Sequence, residues 1–376
     1  MDFTLTAEQQ LLRDGLTKFL ATRYDLDTSR AAVKTGAGWQ PDIWRAFADE
    51  LGILGATIPE SAGGMGGGPT ELMVIAEALG HGLVVEPYVD TVVVSGGLLG
   101  RIGTDAAVEL LAKIAAGDAV VALAAVEQDS GALGEISTVA ERDGDDWVLR
   151  GNKIVVPSAP LATHLLISAR TDSGVALFVT EFSADTPASG LTVHPVRTVD
   201  DRLAADLVFD AVRLPAAALL TDVEVDGLLS AAVDEGAAAV SAEAVGAMRK
   251  VLDDTVEYCK QRHQFGQALG TFQALQHRLV DMLLEVEQAS AAVLLAVLNL
   301  SAQADDRARA VSAAKVTVGR AARFVGQNAV QLHGGMGMTE ELAVGHYFKR
   351  LTAVQYEFGS TDYHLDRYTR LTRPTV

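Results

Sequence analysis

From residue 119 to about 222 the chain breaks into short apolar runs rich in β-branched residues, while on both sides of that block apolar residues recur at helical spacing. The runs are Val120–Val126, Thr138–Ala140, Trp147–Arg150, Lys153–Val156, Leu165–Ala169, Val175–Thr180, Leu191–Pro195 and Asp206–Phe209, punctuated by Gly, Asp and Pro. Short strands so spaced make an all-β module. Ahead of the block, Leu5, Leu11, Leu12, Leu16, Phe19 and Leu20 fall on a helical repeat, as do Trp44 and Phe47, which read as core. Ser61–Pro69 carries five glycines and lacks the Gly-Lys-Ser/Thr of a phosphate loop, and Glu71–Leu79 resumes the helical pattern. Beyond Glu224 four long helical segments can be drawn, roughly 224–261, 271–302, 306–333 and 340–370, with joints at Gly270, Asp305–Asp306 and Gly334–Gly335. The expectation is an α+β multidomain chain, helical over 1–118, β over 119–222 and helical over 223–376. With 49% hydrophobic residues it has ample material for several cores.

Charge narrows the partners. Acidic residues outnumber basic ones 49 to 30, a net charge of -19, which repels nucleic acid and anionic membranes. A phosphate-bearing ligand would therefore need local positive groups. The single Cys259 excludes an internal disulfide and a cysteine-built metal site, and the eight histidines show no metal spacing. The opening MDFTLTAEQQLLRDG has no apolar signal region, and runs such as Val120–Val126 are too short to span a bilayer. A cytoplasmic protein, bound neither to membrane nor to nucleic acid, is expected.

Three stretches carry ligand-contacting features or mark the fold. Gln261–Gln273 reads QRHQFGQALGTFQ, and Gln331–Met338, about 60 residues on, reads QLHGGMGM. Arg262 offers a planar fork suited to a phosphate. Phe265 can pack on an adenine or flavin face. Gln273 and Gln331 can hydrogen-bond ribose or pyrophosphate. The run Gly334–Gly335–Met336–Gly337 lets backbone approach a ligand closely. Taken singly, Arg262 reads as a surface ion pair, Phe265 as core and the glycines as a helix C-cap; jointly they read as cofactor contacts. The third stretch, Phe209–Pro215, reads FDAVRLP and closes the β block.

This order of blocks and these stretches resemble the acyl-CoA dehydrogenase superfamily over essentially the whole chain. The stretches FQALQHRLVDM and HYFKRL are similar to the small subunits of bacterial two-chain acyl-CoA dehydrogenases, which include enzymes acting on dicarboxylic acids and steroid side chains. The resemblance implies an N-terminal helical domain, a middle β-barrel-like domain and a C-terminal four-helix bundle. It implies FAD, an acyl-CoA substrate, an electron-transfer flavoprotein as acceptor, and a place in fatty acid or steroid side-chain β-oxidation. In the family, residues matching Arg262, Phe265 and Gln331–Gly335 reach across a dimer interface to FAD seated mainly in the neighbour; Gln264, Gln273 and Thr361 join Arg262, Phe265, Gln331, Gly334 and Gly335 in the cofactor set that the resemblance implies.

The family reaction removes a proton beside the thioester with a carboxylate base, and passes a hydride from the next carbon to the flavin. Against those needs this sequence has losses. The family's T-E-P-x-x-G-S-D stretch is matched by VEQDSGAL, with Val126, Gln128 and Ala132 at the positions of the hydroxyl, the proline and the serine. The W-I-T triplet that walls the flavin ring is matched by Val155–Val156–Pro157, and Pro157 has no N–H to offer. The arginine that meets the pantetheine is matched by Ala237, with no nearby cation before Arg249. The base of the Glu-Gly-Thr motif is matched by Gly359, and the base of a second branch by Gly236. Candidate replacements are Glu243, Glu235 and Glu357. Glu235 points about 100° away from the Gly236 position, and Glu243 lies about 10 Å further along the same face.

The losses fall on groups serving the chain's own site, and the retained groups are those that reach a neighbour. The expectation is a partner subunit of a heterotetramer, paired with a sister acyl-CoA dehydrogenase chain. Two other readings stay open: a self-sufficient homotetramer with an unorthodox base such as Glu243, and a non-catalytic scaffold paralogue.

Overall fold

The computed structural model describes residues 4–35, 37–127 and 133–373, so Gln128 and Ala132 lie outside the described residues. In chain order the helices are α1 (Ala7–Arg23), α2 (Leu26–Thr35), α3 (Pro41–Asp49), α4 (Pro69–His81), α5 (Gly96–Ile102) and α6 (Asp105–Ala115). Strands follow: β1 (Val121–Ala124), β2 (Val139–Asp143), β3 (Asp146–Pro157), β4 (His164–Thr171), β5 (Gly174–Glu181), β6 (Leu191–Arg197), β7 (Leu203–Leu214) and β8 (Leu219–Thr221). The remainder is α7 (Val225–Gln261), a small hairpin of β9 (His263–Gln264) and β10 (Gln267–Ala268), then α8 (Gln273–Leu298), α9 (Ala304–His333), α10 (Ala343–Ala353) and α11 (Thr361–Thr372). By packing, the chain forms two compact units, each made of separated stretches. One gathers the chain up to Thr28, Pro69–Val84 and everything from Ala237; the other holds Ser29–Gly68 and Val85–Gly236.

The first unit is helical. A capping box opens α1: Gln9 N donates to Thr6 Oγ1 (3.2 Å) and Thr6 N to Gln9 Oε1 (3.0 Å). The helix buries Leu16, Phe19 and Leu20, whereas Leu11 is 73% exposed. Five residues put Leu11 about 140° round from Leu16, outside the apolar stripe. Two glycines bring α4 and α7 to backbone contact. A Cβ on Gly80 would run into the Glu243 backbone, and one on Gly246 into the Glu77 carbonyl. The expected single segment over 340–370 is two helices. Phe358 (φ 55°) and Gly359 (φ 106°) leave helical geometry between them, and Ser360 restarts it by accepting from Tyr363 N at 3.2 Å.

The second unit holds an eight-stranded sheet in the order β6-β7-β3-β2-β4-β5-β8, with β1 parallel to β4. Trp147–Arg150 and Lys153–Val156, expected as two strands, are one strand, β3. Between them Gly151 (φ 144°) marks a close approach rather than an end: a Cβ there would stand 2.6 Å from Thr138 Oγ1. The sheet buries Trp147 edge-on to Phe178 at 5.3 Å, with Leu165, Ile167 and Phe209. Trp44 and Phe47 are buried on α3. The glycine-rich loop spends its N–H groups internally: Met65 N donates to Gly55 O (2.9 Å), Gly66 N to Ile58 O (2.9 Å) and Gly67 N to Ala56 O (2.8 Å). The N–H groups from Gly63 to Gly67 are therefore not free to cradle a phosphate. Among the described residues no helix is long and apolar enough to cross a membrane.

Candidate functional site

The helical unit brings most of the cofactor-like residues to one end of α7, α8 and α9. Arg262 N still donates to Tyr258 O (2.8 Å) at the end of α7, and the chain then reverses through the hairpin β9–β10. Phe265 and Gly266 form the reversal with φ of 55° and 80°, as two-residue hairpin turns require. Glycine adopts such geometry freely; an aromatic residue there is an outlier. Phe265 is also 88% exposed, its ring meeting Phe272 edge-on at 6.1 Å. A strained backbone that presents an exposed aromatic ring to solvent makes Phe265 a candidate contact residue.

At the end of α9, Gly334 takes φ 61° and ψ -140°, a conformation essentially reserved for glycine. His333 stacks on Tyr258 (4.2 Å between ring centres), and Tyr258 Oη donates to His333 O at 3.4 Å. That stack holds the Gly334–Gly335 loop beside the turn that carries Arg262. Arg262, Gln264, Gln273, Gln331, Gly334 and Gly335 are all exposed. Among the described residues the Arg262 guanidinium has no ion-pair partner, so the surface-pair reading fails for it. The Gln264 amide turns back onto His263 O (2.8 Å). Thr361 is placed elsewhere. Its Oγ1 lies over Gly319 of α9, on the order of 20 Å up the helix from Gly334. The Tyr258–His333 stack was not legible in the sequence, because His333 lies in the QLHGGMGM stretch but nothing marks Tyr258 as its partner.

In the β unit the flavin-wall positions make a different picture. Val155 sits at φ 44°, costly for a β-branched residue, and its N–H donates to Asp206 Oδ1 at 2.7 Å. Val156 is buried, Pro157 exposed, and the next hydroxyl, Ser158, donates to Asp90. Glu127, from the VEQDSGAL stretch, is buried and accepts from Lys153 Nζ (2.6 Å), Ser137 N (2.6 Å) and Thr138 N (3.0 Å). Burial raises the Glu127 carboxyl, but bonds from Lys153, Ser137 and Thr138 outweigh it and hold it down to about 2. Burial pushes Lys153 down to about 8 against the pull of Glu127. Neither an aromatic ring nor a side-chain hydroxyl stands at Val155–Pro157, so these described positions do not fit the wall of a resident isoalloxazine ring.

The candidate bases are all engaged. Glu235 takes the Arg101 fork, with Nη1 at 2.9 Å from Oε2. Glu243, 3% exposed, is held bidentately by Arg350 through Nε and Nη2, both at 2.9 Å. The same buried guanidinium holds Glu357 through Nη1 (2.5 Å) and Nη2 (2.8 Å). Lys315 Nζ donates to Val354 O and Glu357 O, both at 2.7 Å, and burial pushes it down to about 8. Both lone-pair faces of Glu243 meet a guanidinium that never loses its proton, an arrangement that anchors helices rather than abstracts protons.

Models of three acyl-CoA dehydrogenase domains match in sequence: the N-terminal domain over residues 6–118, the middle domain over 122–212 and the C-terminal domain over 227–371. Acyl-CoA dehydrogenase FadE12 of Mycobacterium tuberculosis is 31% identical, covering 91% of this chain and 90% of that protein. Among solved structures, the ChsE4-ChsE5 complex from Mycobacterium tuberculosis is 27% identical with a TM-score of 0.89 over 100% of both chains. A variant of the Tcur3481-Tcur3483 steroid ACAD is 30% identical with a TM-score of 0.87 over 98% of both.

Proposed function

The chain belongs to the acyl-CoA dehydrogenase family, and on that premise we propose that it is the half-site partner in a two-chain, FAD-dependent enzyme that desaturates an acyl-CoA thioester. Its three family domains are read as residues 1–118, 119–222 and 223–376. FAD, when bound, supplies the hydride acceptor. This chain contributes Arg262 to a phosphate of the cofactor, the Phe265 ring to a face of it, and the Gln331–Gly335 loop to its polar tail. The sister chain holds the flavin ring, the base and the CoA pocket, and an electron-transfer flavoprotein takes the electrons in the cytoplasm.

One asymmetry carries this reading. Among the described residues Arg262, Phe265 and Gln331 are exposed with no side-chain hydrogen bond or ion pair, and Phe265 is held in a strained turn, while the carboxylates Glu235, Glu243 and Glu357 are all spent on internal arginines. The solved relatives named above are described as paired assemblies, which supports the same arrangement. Co-expression with a sister chain tests it. Purified alone, this chain should be colourless and inactive; with the sister chain it should retain flavin and dehydrogenate acyl-CoA. Yellow, active protein from this chain alone would overturn the proposal in favour of a homotetramer. Failure of any sister chain to restore flavin would favour the scaffold reading.

A further inference from the structure

The segment between α10 and α11 is held more tightly than a connecting loop needs. Lys315 Nζ bridges Val354 O and Glu357 O, spanning the approach to Phe358. Arg350 forks onto the Glu357 carboxylate from below while anchored on Glu243. On the far side His364 lies with Nε2 2.9 Å from Phe358 O and Nδ1 3.2 Å from Ser312 Oγ. Between these staples sit Phe358 and Gly359, both with left-handed φ. The half-buried Phe358 packs against an alanine-rich cluster of Ala237, Ala238, Ala296, Ala314, Leu300 and Val311. Alanine at those places leaves the room that the ring takes.

Gly359 is closed on its open side. A Cβ built there would stand 2.6 Å from Tyr363 Cδ1 and 3.0 Å from His364 Nε2. Its φ of 106° is one that side chains rarely adopt. His364 is buried and held at both nitrogens, so it cannot swing aside cheaply, and the half-buried Tyr363 ring stands edge-on to it with ring centres 5.1 Å apart.

We propose that this chain's own acyl site is filled from within: Phe358 plugs the alanine niche, and Tyr363 with His364 occupies the space a base at position 359 would need. The inference rests on the half-site reading for its functional meaning, because position 359 and Ala237 match the family's base and pantetheine arginine only by resemblance. Its geometry does not depend on that reading. The loss of the base is then structural. A glutamate cannot be put back by one substitution, because the surrounding side chains have taken its place.

The test compares Gly359→Glu, Gly359→Glu with Tyr363→Ala, and Phe358→Ala in the assembled two-chain complex, by thermal unfolding and by flavin content. Gly359→Glu should lower the unfolding temperature by several degrees, or fail to assemble, and adding Tyr363→Ala should recover part of the loss. Phe358→Ala should leave a niche that accepts benzene, seen as a rise in unfolding temperature with benzene that the parent complex lacks. Gly359→Glu with parent-like stability, no recovery from Tyr363→Ala, or no benzene effect in Phe358→Ala would each overturn the proposal. Activity of the unmodified chain alone would instead refute the half-site reading and leave these steric outcomes standing.

Discussion

Replacing Glu127 by glutamine removes one charge from a buried pair and leaves its partner in place. Lys153 is fully buried, and its Nζ reaches only Glu127 (2.6 Å) and Ser168 Oγ (2.9 Å) among the described groups. Removing one member of a buried pair costs about 3–5 kcal/mol, because the other charge stays desolvated. The depression of the Glu127 carboxyl gives a compatible figure. The carboxyl is held at about 2 against an ordinary 4.5, and a gap of that size corresponds to about 3 kcal/mol at pH 7. Since the folded value is the lower one, this stabilisation is fully present above about pH 4.5 and fades as pH falls towards 2. At pH 3 about 2 kcal/mol of it should be gone. Trp39, Trp44 and Trp147 all lie in the β-containing unit, so tryptophan fluorescence during urea unfolding reports on that unit. The stability gap between the natural protein and Glu127→Gln should be about 3 kcal/mol at pH 7 and close to half of that at pH 3. A gap below about 1 kcal/mol at pH 7, or one unchanged between the two, would refute the reasoning.

Arg262→Ala should cost the assembled enzyme about 1.5–3 kcal/mol of flavin binding, roughly 10- to 150-fold in affinity, read as FAD lost on dialysis. Phe265→Ala should leave the stability of this chain unchanged within about 0.5 kcal/mol while weakening flavin retention in the complex, because the exposed ring supports no core. Glu235→Gln, Glu243→Gln and Glu357→Gln should each leave steady-state turnover within about tenfold, where loss of a general base costs roughly 10²–10⁴-fold. Gly246→Ala should destabilise the helical unit by about 1–3 kcal/mol in chemical denaturation, since the added methyl meets the Glu77 carbonyl.

The helical, β, helical order was readable because both periods are local properties of the chain. Leu16, Phe19 and Leu20 announce their helix by spacing alone, and the β-branched runs announce the sheet. Which side of an element stays bare is not local: Leu11 shares the helical repeat yet faces solvent, and Phe265, which reads as core only when taken singly, projects from a turn. Buried cations were the larger gap. Lys153 meets Glu127 across 26 residues, Lys315 meets the Glu357 carbonyl across 42, and Arg350 meets Glu243 across 107. Nothing in the neighbouring sequence marks such partners. Glu243 could be flagged as a carboxylate among alanines and valines, but not the guanidinium that holds it. The residues grouped at the Arg262 end were legible as motifs; the Tyr258–His333 stack that brings them together was not.

The central claim is an unequal division of labour between two chains, and the ratio of FAD to polypeptide in the purified complex measures it most directly. The account predicts one FAD for each pair of unlike chains, and none on this chain when it is purified alone. One FAD per polypeptide in this chain by itself would contradict it.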